Sequence, residues 1–232
     1  MNGNDFIRES VYIGVLISLL SYFLGAFLKK KTGIALFNPL LVAIICTMAF
    51  LLGFHIEYED YKKGADVLSW FLTPATVCLA IPLYDRFSLL RKNLKAVLIG
   101  ILSGVLSSFF SILAFCLLFR LDHLYFITLL PKSITTAIGM GVSEELGGIV
   151  NITVAVIVIT GVIGNVIADS VFRIFKITEP IAKGIALGSS AHAIGTAKAL
   201  EIGEIEGAMS SLSIAVSGIL TVFLAPVMAQ LF

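Results

Sequence analysis

Charge is scarce in this chain. Of its 232 residues, 13% are Asp, Glu, Lys or Arg, against roughly 25% in an average soluble domain. Hydrophobic residues make up 58% and the mean hydropathy is +1.03. Such a composition, gathered into long apolar runs, belongs to the polytopic membrane class. The net charge of +1 offers no footprint for nucleic acid. Cysteine is equally sparse. Cys46, Cys78 and Cys116 each stand alone in apolar segments, with no CxxC or Cys/His spacing, which argues against a disulfide framework and a metal site. Catalytic signatures are missing too: there is no GxSxG, no HExxH and no phosphate-cradling glycine loop. The expectation is a protein that is not an enzyme and needs no cofactor. The run after Arg8 ends in Lys29–Lys31 without a small-residue cleavage site, so it reads as a retained first helix. No linker or low-complexity stretch divides the chain, and residues 1–232 read as a single integral membrane domain.

Eight hydrophobic segments are present, at about 9–28, 33–54, 66–84, 94–119, 124–143, 149–175, 181–201 and 207–231. A helical span needs ~20 apolar residues, so the fold class is an all-α polytopic membrane protein. The positive-inside rule places Lys29–Lys31 and the Arg86/Arg91/Lys92/Lys95 loop in the cytoplasm and the N-terminus outside. The third cluster, Arg173/Lys176/Lys183, then conflicts if segments five and six both cross. It returns to the cytoplasm if segment five is re-entrant. Pro131, Lys132, Ser133, Thr135, Thr136, Gly139 and Gly141 permit that, and charge counting does not choose. A weak internal repeat aligns Pro39 with Pro131, Thr73 with Thr160, and Lys95–Gly100 with Lys183–Gly188 at a near-constant offset. Three crossings per copy would invert the second, the architecture of secondary transporters with interrupted helices. Chance similarity between apolar helices is the competing explanation.

Polar residues inside apolar segments mark candidate sites, because unsatisfied polar groups in lipid cost several kcal/mol. In LPKSITTAIGMG, Lys132 and Thr136 share a helical face, as do Ser133 and Thr136. Either Pro131 starts a helix and Lys132 snorkels, or the segment breaks in the membrane and Lys132, Ser133, Thr135, Thr136 and free amides form an anion site. In LGSSAHAIGTAKAL, Ser189, His192 and Thr196 lie on one face, with Ser190 beside them. His192 either hydrogen-bonds to a neighbouring helix or serves substrate and proton, its ordinary pKa being near 6.5. In SWFLTPATVCLAIPLYD, Pro74 and Pro82 interrupt any helix, and Thr73 and Thr76 supply hydroxyls. Asn165 and Asp169 share a further face, and Asp169 also suits a membrane interface. Segments 124–143 and 181–201 are expected to meet near the midplane. Segments 9–28 and 207–231, without internal polar clusters, are the expected scaffold of a homo-oligomer.

FNPLLVAI, LTPATVCLAIPLY, LLPKSITTAIGMGVSEELGGI and GSSAHAIGTAKALE together resemble the LrgB/CidB family of bacterial membrane proteins, over nearly the whole chain from about residue 10. That resemblance implies a multi-pass protein of the bacterial inner membrane. It implies an antiholin-like role in modulating murein hydrolase activity and autolysis, beside a small holin-like partner of the LrgA/CidA type. Through plastid relatives that exchange glycolate and glycerate, and bacterial members implicated in pyruvate transport, it also implies a small monocarboxylate substrate. The family's PKS-TT stretch falls on Pro131, Lys132, Ser133, Thr135 and Thr136, and its AHxIGTA stretch on Ala191, His192, Ile194, Gly195, Thr196 and Ala197. Asn38 of FNPLLVAI, with Thr73 and Thr76, completes the candidate substrate-binding set. Ile138-Gly139-Met140-Gly141 departs from the expected Ala- and Glu-containing continuation, which leaves substrate preference open. Two functions follow: a carrier of small monocarboxylates such as pyruvate, lactate, glycolate or glycerate, or a non-transporting regulator of holin-like assemblies.

Overall fold

A backbone in hydrocarbon must satisfy its own hydrogen bonds, and helices do so within one segment. The computed structural model describes residues 11–33, 37–78 and 80–232, and among these every regular element is a helix. Four helices are long and apolar enough to cross a membrane, at Tyr12–Thr32, Phe87–Phe119, Val150–Ile174 and Glu204–Ala229. The chain is a multi-pass membrane protein. It divides into two compact units, Met1–Cys78 and Leu79–Phe232.

The first unit holds α1 (Val11–Thr32), α2 (Pro39–Gly53), α3 (Tyr58–Ser69) and α4 (Leu72–Cys78). Lys29, Lys30 and Lys31 fill the last turn of α1, where they complement the helix dipole. The side-chain oxygen of Asn38 accepts from Leu40 N at 2.9 Å and Leu41 N at 3.3 Å, which caps α2 behind Pro39. The amphipathic α3 packs on α1, where Ser18 Oγ lies 2.7 Å from the Tyr61 hydroxyl. Segment 66–84 does not begin as one continuous helix, because α3 ends at Ser69 and α4 starts at Leu72.

The second unit follows as α5 (Ala80–Asp85), α6 (Phe87–Phe119), α7 (His123–Leu129), α8 (Thr136–Glu145), α9 (Val150–Ile174), α10 (Pro180–Ile202) and α11 (Glu204–Ala229). Segment five turns back on itself. Pro131 cannot continue α7, and the chain unwinds through residues 130–135 before α8 begins. α8 then runs back beside α7. Thr128 Oγ1 accepts from Ile149 N at 2.9 Å, and the Thr153 hydroxyl lies 2.8 Å from the Thr128 carbonyl and 2.7 Å from Ser143 Oγ. A straight path from Thr128 to Ile149 would separate them by ~30 Å at 1.5 Å per residue. Residues 123–145 therefore form a helical hairpin whose tip is the stretch 130–135.

A second hairpin lies within α10. Ala191 and His192 leave helical geometry, with His192 at φ 41° and ψ −135°. Gly195 comes against the carbonyl of Leu187, a pair that ~12 Å would separate in a straight helix. Lys183 on the first arm lies over the Phe172 ring, and Lys198 on the second arm pairs with Asp169 at 2.7 Å. Both arms thus end beside the C-terminal end of α9.

The hairpins enter from opposite ends. The first packs its apolar face with Phe109, Cys116, Ala225 and Met228, near the C-terminal ends of α6 and α11. In the second, Ile185 packs with Leu90, Val97, Ile101 and Met209, near their N-terminal ends. Arg173, Lys176 and Lys183 consequently fall at the same end as Arg86, Arg91 and Lys92, which removes the conflict in the charge pattern. The inversion relates the two hairpins to each other. Of the residues paired in sequence, Pro39 starts a continuous helix whereas Pro131 sits in an unwound tip.

Candidate functional site

Between the two apolar ends of the second unit lies a polar layer. Ser107 and Ser108 sit near the middle of α6, and Ser217 near the middle of α11. The hairpin tips reach this level. Ser108, Ser133, Ser189 and Ser217 line a cavity of about 10 Å³ together with apolar side chains including Phe109 and Leu130, roughly the space of one water molecule. Segments 124–143 and 181–201 therefore meet there through Ser133 and Ser189.

Lys132 stands beside the cavity, half-buried, and its Nζ donates to Ser133 Oγ at 3.0 Å. Ser133 Oγ lies 3.1 Å from Ser108 Oγ. An ammonium has no acceptor, so Ser133 receives from Lys132, and either serine of the Ser133–Ser108 pair can donate to the other. Among the described residues no carboxylate lies within ion-pair reach of Lys132. Ser217 Oγ is fully buried and has no hydrogen-bond partner among the described residues, a condition that costs about 1–3 kcal/mol. One ammonium and a set of hydroxyls suit an oxygen anion rather than a metal cation.

A larger cavity of about 550 Å³ adjoins the first. Asn93 and Glu179 stand where α6 and α10 begin, and Ser103, Ser107 and Ser189 lie deeper. Ser189 borders both cavities. Its Oγ donates to the Ile185 carbonyl at 2.7 Å, and Gly104 of α6 leaves it room: a Cβ there would come within 2.7 Å of Ser189 Oγ.

His192 is buried against α9 with Nε2–H donating to the Ile157 carbonyl at 3.0 Å, and its ring abuts Gly161. Its φ of 41° is a region that favours glycine, so the tip is held under strain worth about 1–3 kcal/mol. Thr196 Oγ1 lies 2.7 Å from Ser210 Oγ and fastens the second arm to α11. Ser190 is exposed and donates to the Ala186 carbonyl. Thr135 and Thr136 are half-buried where the first tip passes into α8. Asn38 serves as a helix cap in the first unit, where Thr73 and Thr76 belong to α4. Asn165 donates to the Ile194 carbonyl at 3.1 Å, so the Asn165/Asp169 face of α9 holds the second arm.

Sequence reasoning missed Ser108 and Ser217. It also took segment 207–231 to lack polar clusters, whereas α11 buries Ser210, Ser211, Ser213, Ser217 and Thr221. The signal was there: residues 210, 213, 217 and 221 recur at helical spacing on one face.

The LrgB-like family model matches residues 18–231. A curated relative, the antiholin-like protein LrgB of Bacillus subtilis (strain 168), is 38% identical over 223 residues, covering 96% of this chain and 96% of the relative. No solved structure matches.

Proposed function

The chain belongs to the LrgB-like family, and from that premise we propose that it is a carrier of small monocarboxylates of the pyruvate, lactate, glycolate or glycerate type. One observation carries this reading: two re-entrant hairpins enter from opposite ends and bring their tips together around a hydroxyl-lined cavity beside Lys132. A regulator acting only through its lipid-facing surface has no need of a charge at that depth, where an uncompensated ion costs several kcal/mol. A carrier needs that charge to offset the substrate's. Irregular backbone at membrane depth is tolerated where protein or a cavity satisfies it, and broken helices at a central site are the transporter arrangement. By the positive-inside rule, the end bearing Arg86, Arg91, Lys92, Arg173, Lys176 and Lys183 faces the cytoplasm. The 550 Å³ vestibule begins at that end.

The decisive experiment is uptake of labelled pyruvate, lactate and glycolate into proteoliposomes containing this chain alone. Saturable uptake of any of them is the expected result, and its absence for all three would sink the carrier reading. The relative's name favours a second reading, an antiholin-like regulator that modulates murein hydrolase activity through a holin-like partner of the LrgA/CidA type. That reading requires co-purification with such a partner and an autolysis phenotype that survives loss of uptake.

A further inference from the structure

Four serine hydroxyls surround the cavity between the tips, and three are engaged. Ser133 receives from Lys132 and pairs with Ser108, and Ser189 donates to Ile185. Ser217 is 1% exposed and unpartnered among the described residues. Its neighbours on α11 behave otherwise: Ser211 donates to the Gly207 carbonyl and Ser213 to the Met209 carbonyl, each four residues back. The same outlet, the carbonyl of Ser213, is available to Ser217 by local geometry and is not used. Either serine of the Ser133–Ser108 pair can donate to the other, and with Ser133 as donor Ser108 keeps its own proton as a second donor.

We propose that this cavity is the carboxylate subsite, with the hydroxyls of Ser217 and Ser108 donating to the two carboxylate oxygens and Lys132 supplying the counter-charge. The assignment rests on the carrier reading for its physiological meaning, but the binding it describes is measurable without transport. It narrows the ligand. The subsite offers one cation and the hydroxyls of Ser217, Ser108 and Thr221, and its remaining walls include Val105, Phe109, Leu130 and Ile134. A second carboxylate would have no second cation to offset its charge, so a short monocarboxylate fits and a dicarboxylate does not. A neutral amide forgoes the attraction of the ammonium. The present volume, about 10 Å³, is smaller than a carboxylate group, so binding requires the tips to part. Ser189 borders both spaces and is the sill through which the subsite opens to the vestibule.

The test uses the full chain in lipid nanodiscs, with pyruvate, lactate, lactamide and malonate as probes, read by thermal unfolding and calorimetry. The wild type should bind pyruvate or lactate saturably and ignore lactamide and malonate. Ser217→Ala removes a hydroxyl with no native bond, so its unliganded Tm should equal or exceed that of the wild type while its Kd rises about tenfold or more. Ser108→Ala should weaken binding similarly, and Ser213→Ala should not. Unchanged affinity in Ser217→Ala and Ser108→Ala would overturn the subsite and leave the carrier reading intact. So would failure of the wild type to bind pyruvate and lactate when proteoliposomes still take them up. Serine-dependent binding without uptake would uphold the subsite and overturn the carrier.

Discussion

Lys132 carries a positive charge into a layer where Ser133 Oγ is its hydrogen-bond partner. If that charge offsets the substrate's, Lys132→Ala should lower uptake about ten- to a hundredfold, the value of a charge-assisted hydrogen bond, with expression and oligomeric state unchanged. Lys132→Arg should rescue only part, because a planar fork replaces a compact ammonium. Uptake kinetics in proteoliposomes decide this, and full activity in Lys132→Ala would remove the lysine from the site. His192 is a contrasting case. Its ring donates to the Ile157 carbonyl and faces α9, so its task is to hold the second tip. His192→Gln keeps a donor and removes titration, and uptake should keep the same pH profile on either side of about 6.5. A profile flattened by the substitution would instead put His192 on a proton path.

At the scale of elements, small residues let the second hairpin close on its neighbours. Gly188 meets the backbone carbonyl of Ser210, and Gly195 that of Leu187, so no side chain fits between these strands of helix without displacing backbone. Gly188→Leu should separate the first arm from α11 and lower Tm by several degrees, given a cost of about 1–3 kcal/mol for overpacking. Thermal unfolding in detergent reads it directly. Motion of the first arm against α6 is what the sill at Ser189 demands. A Cβ at position 104 would lie 3.1 Å from Ser189 Cβ, a few tenths of an ångström shorter than the ~3.5–4.5 Å of a disulfide, so a small shift of the arm allows one. In a background with Cys46, Cys78 and Cys116 replaced, Gly104→Cys with Ser189→Cys should lose uptake on oxidation and recover it on reduction. Full uptake in the oxidised, crosslinked protein would show that the arm stays still.

For the whole chain, the hairpin reading fixes which loops share a face of the membrane. The connection after α8 and the end bearing Lys176 should lie on opposite faces. Single-cysteine variants at Glu145 and Lys176, probed with a membrane-impermeant maleimide in intact cells, should label only at Glu145. Labelling at Lys176 and not at Glu145 would show that segment five crosses. The first unit presents exposed apolar residues such as Leu20, Phe23 and Phe27 along α1, a face that suits lipid or a second copy. A homo-oligomer remains the expectation for the native protein, and native mass spectrometry from lipid showing monomer alone would count against it.

Composition and apolar run length determined membrane residence and helical class, because they depend on transfer free energy summed along the chain. The break at Pro131, and with it the place of Lys132 and Ser133 in a non-helical stretch, was likewise legible, since proline ends a helix and an intramembrane ammonium demands a reason. The direction of each hairpin was not. A crossing broken helix and a re-entrant one share one composition, and contacts distant in sequence separate them, such as Thr128 with Thr153 and Gly195 with Leu187. The serines of α11 make the same point. Ser211, Ser213 and Ser217 are alike by local pattern, and each can bond four residues back along its own helix. Packing against α6 and the hairpin tips turned Ser217 into the cavity, and that choice belongs to the tertiary structure because the space it fills is bounded by residues more than a hundred positions away in the chain.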